Sequence, residues 1–75
     1  MEQDTLNIKI VESFSTVKPG QIYRSVIDHA ERILIETALE QAAGNQIVAA
    51  RVLGLNRNTL RSKIKKLNIV INKYK

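Results

Sequence analysis

No cysteine occurs among the 75 residues, so disulfides and thiolate metal sites are excluded. The single His29 cannot hold a zinc ion alone, and no cofactor is expected. Tryptophan is absent, and the aromatics are two tyrosines and one phenylalanine. A chain this short, without disulfide or metal, builds a small core and commonly gains more by oligomerising. No apolar run approaches the ~20 residues that cross a bilayer, so no membrane partner is expected. Met1-Glu2-Gln3-Asp4 lacks the cationic opening of a secretory signal. The expected setting is cytoplasmic.

Acids are missing from one half. All seven lie at or before Glu40. Residues 1–40 carry four basic side chains, for a net −3, and residues 41–75 carry eight basic side chains and no acid, for +8. A one-signed half of this kind is the electrostatic footprint of a polyanion binder.

Proline occurs once and glycine three times, and they punctuate the chain. In residues 1–19, Leu6, Ile8 and Ile10 alternate with polar neighbours, a short strand signal, and Ser13 to Pro19 read as linker. The expectation is a flexible or short-strand segment over 1–19 and one domain over 20–75. Pro19-Gly20 then opens a long helix over about 21–43. Tyr23, Val26, Ile27, Ala30, Ile33, Leu34 and Ala38 form one face, and Ile35, Leu39 and Ala42 lie on the other side. A helix apolar on two sides needs two partners. One is the C-terminal unit, and the other is expected to be a second copy of the helix. Tyr23, Val26, Ile27, Ala30, Ile33, Leu34, Ile35 and Leu39 are therefore the expected dimer interface.

Two short helices follow. Asn45 is an N-cap for 46–53, and Asn56 caps a last helix over 57–67. Gly44 suits a left-handed C-cap, and Asn68 can close the last helix. Ala49 and Ala50 allow close helix approach, and Gly54 fits a turn with φ > 0. Leu55 plugs the corner, and Leu60, Ile64 and Leu67 recur on the inward face. This order of small residue, turn glycine and buried aliphatics is the packing pattern of a helix-turn-helix. Its last helix turns Arg57, Asn58, Arg61, Ser62, Lys65 and Lys66 outward. The leading residues, Arg57, Arg61 and Ser62, suit base edges in a major groove. Lys63, Lys65 and Lys66 suit phosphates, as do the helix N-terminal groups around Asn45 and Gln46.

Gly44-Asn45-Gln46, the run Ala49 to Gly54, and Asn56-Arg57-Asn58-Thr59-Leu60-Arg61 resemble the Fis-type helix-turn-helix. That module forms the nucleoid protein Fis and the DNA-binding domain of NtrC-type, sigma-54-dependent activators. The resemblance covers about residues 22–69, and Asn58 is closer to the NtrC-type domains, since Fis has glycine there. It implies an all-α homodimer whose long helices pair, with two recognition helices in successive major grooves of a palindromic double-stranded site. It implies base contacts by Asn56, Arg57 and Arg61, with Thr59, Lys65, Lys66 and Asn45 on the backbone. It further implies a parent ATPase domain acting on sigma-54 polymerase, although no G-x-x-x-x-G-K-[ST] string occurs here. Fis has lysine in place of Ser62, threonine in place of Ile47, and a further helix ahead of the long one. Residues 1–19 look too strand-like for that helix.

Other readings are a Fis-like nucleoid protein that bends DNA, a helical protein-interaction module, and membrane-surface binding by the basic helix with the apolar residues 69–71. An enzyme is not expected: His29 has no nucleophile beside it, and Glu36 with Glu40 reads as a solvated edge.

Overall fold

The computed structural model describes the backbone of residues 2–75 and the side chains of residues 5–75. The elements in order are α1 (Glu2–Thr16), α2 (Ile22–Gln41), α3 (Gln46–Leu53) and α4 (Arg57–Lys66), closed by a single 3-10 turn at Ile71–Tyr74. No strand occurs among the described residues, so the fold is all-α as expected. The chain divides into two compact units, one up to residue 30 and one over 31–75. The division falls inside α2.

The N-terminal expectation is overturned. Where a flexible segment or short strand was expected there is a helix of 15 residues; Met1 lies outside the described residues. Alternation at Leu6, Ile8 and Ile10 suggested period two, but the covered positions are Lys9, Ile10, Ser13 and Val17, which follow a helical period. Two hydroxyls of this polar stretch are satisfied within the helix. Ser13 Oγ donates to the Lys9 carbonyl at 2.8 Å, and Thr16 Oγ1 donates to the Glu12 carbonyl at 3.0 Å. Ser13 is thereby buried without an orphaned hydroxyl. In the same unit, Ile10 and Phe14 of α1 and Ile22, Tyr23, Val26 and Ile27 of α2 line one open apolar groove.

The second unit holds the main core. Ile35, Ala38 and Leu39 of α2, Ala49 and Ala50 of α3, and Leu60 and Ile64 of α4 are buried together with Leu67 and Ile69. This corrects the dimer assignment of Ile35 and Leu39. Together with Ala42, half-buried against the same core, they sit at i, i+4 and i+7 along α2. At 2% and 0% exposure, Ile35 and Leu39 leave nothing for a second chain. Ile33 and Leu34, by contrast, are more than half exposed. The zero exposure of Ala49 fits the close approach expected there. Leu53, Leu55, Ile71 and Tyr74 close the edges of this core, and the last two give the basic tail a structural role that the sequence leaves unassigned.

Three helices end in the same way. After α2, Gly44 N–H donates to the Leu39 carbonyl and Ala43 N–H to Glu40. After α3, Leu55 N–H donates to Ala50 and Gly54 N–H to Arg51; after α4, Ile69 N–H donates to Ile64 and Asn68 N–H to Lys65. Each pair is a Schellman closure, with the left-handed residue at Ala43 (φ 52°), Gly54 (φ 75°) and Asn68 (φ 57°). Gly54 and Asn68 match expectation. After α2 the left-handed position falls one residue early, on Ala43, and Gly44 follows with φ 83°. Gly44 has a second constraint: a Cβ there would lie 2.7 Å from Lys75 Cγ.

Candidate nucleic-acid interface

α3 and α4 are set by their caps. Asn45 Oδ1 accepts from the N–H groups of Ile47 (3.0 Å) and Val48 (3.2 Å). Asn56 Oδ1 accepts from Asn58 N–H at 2.8 Å. Both asparagines sit in extended backbone immediately before their helices, as N-caps do.

From Asn56 onward α4 has two sides. Leu60 and Ile64 point into the core, and Arg57, Asn58, Thr59, Arg61, Ser62, Lys65 and Lys66 are exposed. Asn45, Gln46 and Ile47 at the start of α3 share an open groove with Arg57 and Arg61. Asn58, Arg61, Ser62 and Lys65 line a second groove alongside. Arg61 therefore stands between both. Among the described residues, no hydrogen bond or ion pair engages the charged groups of Arg57, Arg61 or Lys65. Unpaired cations on an acid-free helix, beside the positive end of a second helix, form a surface suited to a polyanion.

Two expected site residues need revision. Lys63 does not join the outer side. Its Nζ donates to Glu31 Oε2 at 2.6 Å, with both side chains largely covered. Position 63 lies two residues beyond Arg61, about 200° around the helix, which carries it to the α2 flank. Asn56 spends its carboxamide oxygen on the cap. Bidentate reading of adenine needs both the oxygen and the NH₂ group, so that contact would break the cap, and only Nδ2 remains to donate outward.

Sequence reading missed what holds α4 from behind. Besides the Glu31–Lys63 pair, Arg32 Nη2 donates to the Leu67 carbonyl at 2.5 Å, and Arg32 Nη1 lies 3.9 Å from Glu36 Oε2. The Arg32–Glu36 pairing is readable from its i,i+4 spacing. The two ties to α4 join residues 32 and 35 positions apart, which no local pattern reveals.

Comparison with known proteins defines the class. A family model described as "Bacterial regulatory protein, Fis family" matches residues 27–67, from the second turn of α2 to the C-cap of α4. The chain belongs to the Fis family of bacterial regulatory proteins. It is 52% identical over 50 residues to the DNA-binding transcriptional regulator NtrC of Azospirillum brasilense, covering 67% of this chain and 10% of that protein. It is 50% identical over 46 residues to a Fis-like protein of Ralstonia nicotianae, covering 61% of this chain and 60% of that one. It is 40% identical over 48 residues to the DNA-binding protein Fis of Glaesserella parasuis, covering 64% and 49%. The chain thus spans a tenth of the first relative and three fifths of the second. No solved structure matches. No described helix is long and apolar enough to cross a membrane.

Proposed function

We propose that residues 31–75 form a module that binds double-stranded DNA, with α4 entering the major groove, and that the protein regulates transcription. The observation that carries this reading is the outer side of α4. Arg57, Arg61 and Lys65 stand exposed and unpaired there, joined through one groove to the start of α3. Arg57 and Arg61 are the proposed base readers, since a guanidinium fork matches the O6 and N7 acceptors of guanine. Ser62 stands beside them. Asn45, Gln46, Thr59, Lys65 and Lys66 are proposed to contact the sugar-phosphate backbone, with Asn56 offering Nδ2 alone.

The protein is proposed to act as a homodimer on a palindromic site. Tyr23, Val26, Ile27, Ala30, Ile33 and Leu34 supply the face, and Tyr23 at 80% exposure is the least covered of them. The parent is proposed to be an NtrC-type activator. Identities of 47–52% to three NtrC proteins support that assignment, as does Asn58. A separate ATPase domain would then act on sigma-54 polymerase.

Fluorescence anisotropy on random duplex DNA, at low and moderate salt, tests the core of this reading. Binding that falls steeply with salt is expected, because phosphate contacts release condensed counterions. A folded protein that ignores duplex DNA even at low salt would refute it.

A further inference from the structure

We infer that Glu31 and Arg32 are positioning residues for α4, fixing the attitude in which it offers Arg57 and Arg61 to a base pair. The inference rests on the DNA-binding reading above. α4 is anchored by Leu60, Ile64 and, just past its end, Leu67. Apolar burial is non-directional, so these contacts hold the helix down but resist a small roll or slide only weakly. Hydrogen bonds constrain angle as well as distance.

α4 has two such bonds on its inner flank. Lys63 Nζ donates to Glu31 Oε2 at 2.6 Å, and Arg32 Nη2 donates to the Leu67 carbonyl at 2.5 Å. Their anchors are adjacent residues of α2, and their attachment points, residues 63 and 67, lie one turn apart. With the axis located by the apolar anchors, two ties a turn apart restrain the roll and the axial position of the helix more tightly than either tie alone. The Arg32 guanidinium also lies 3.9 Å from Glu36, and its planar fork presents a separate nitrogen to each partner in fixed geometry. The Leu67 carbonyl belongs to the negative end of the α4 dipole, a favourable partner for a cation.

Neither α2 residue lies on the outer side of α4. Glu31 carries the wrong sign for phosphate, and Arg32 already has two partners. Their contribution is therefore to alignment. Base readout needs a close fit, whereas phosphate contact tolerates small displacements. Loss of either tie then lowers discrimination between sequences and spares binding to random DNA.

The test uses the full chain. The wild type first selects a preferred duplex from a random library. Affinities for that duplex and for a random one are then measured across a salt series, with helix content followed by circular dichroism. Arg32→Met and Lys63→Met should each lower the matched-to-random ratio by about fivefold or more, the scale of one mismatched base pair. Random-duplex affinity and its salt slope should stay at the wild-type level, and Arg32→Lys should recover part of the ratio. An unchanged ratio in both methionine variants overturns the inference. So does an equal loss on both duplexes with a shallower salt slope, which would make these cations phosphate contacts. If Arg32→Met does not fold, Lys63→Met and Arg32→Lys decide with the same expected signs. If the wild type binds neither duplex, the DNA reading fails and this inference falls with it.

Discussion

Arg57 and Lys65 share a helix, a charge and an exposed surface, yet position along α4 separates their expected roles. Arg57 opens the helix, the end proposed to meet base edges; Lys65 lies two turns on, where the DNA backbone is the proposed partner. Arg57→Ala should cost about 1–3 kcal/mol on a preferred site and relax sequence choice there. Lys65→Ala should weaken all duplexes alike and reduce the slope of log affinity against log salt by about one. Identical behaviour of the two variants on matched and random DNA would refute this division. The side chain of Leu60 shares the helix but has no surface at all, at 0% exposure. Truncation to alanine should cost about 2–5 kcal/mol in urea unfolding, a large part of the margin of so small a domain.

At the scale of elements, caps and closures decide most of what was readable. Asn45, Gly54 and Asn56 each announce a boundary by residue type, and α3 begins and ends where those signals put it. α1 was not legible because three apolar residues at period two hid its helical stripe, and because Ser13, a polar residue, is its buried position. The left-handed closure of α2 was misplaced by one residue, since alanine gives no signal for φ near 52°. That conformation costs a residue with a Cβ about 1–2 kcal/mol. Ala43→Gly should therefore raise stability, by up to about 1 kcal/mol after the entropy of the freer unfolded chain; a lower urea midpoint would contradict the strain. Cap and contact separate at Asn56. Asn56→Asp keeps an oxygen to accept from Asn58 N–H, so thermal stability should hold or rise. DNA affinity should fall, because a carboxylate would face phosphate. Equal affinity would mean that Asn56 is a cap and nothing more.

Over the whole molecule, the exposed cationic side of α4 was legible from charge and period, and the division of labour along α2 was not. Periodicity reported two apolar sides but could not say which one the chain itself covers. The structure allots Ile35, Ala38 and Leu39 to the core of the second unit, and leaves Tyr23 and Phe14 exposed beside the groove of the first. If that groove is where two copies meet, Tyr23→Glu combined with Ile27→Glu should shift sedimentation equilibrium from dimer to monomer. Affinity for a palindromic duplex should then drop steeply, because the second half-site is no longer bound at high effective concentration. Low-salt binding to random DNA should persist, since neither substitution falls on a proposed DNA contact. An unaltered oligomeric state would remove this face from the account.

The ten residues of α4 include only two apolar side chains, Leu60 and Ile64, and both are buried in the core. A helix of that length and composition does not hold itself together in water, where about 12–15 residues are marginal. In deuterium exchange its amides should therefore lose protection together with those of residues 35–39 and 49–50, in a single opening event. The exposed side of α4 proposed to read DNA then exists whole or not at all. A destabilising core substitution should reduce the fraction of molecules competent to bind while leaving the dissociation rate of each bound molecule unchanged.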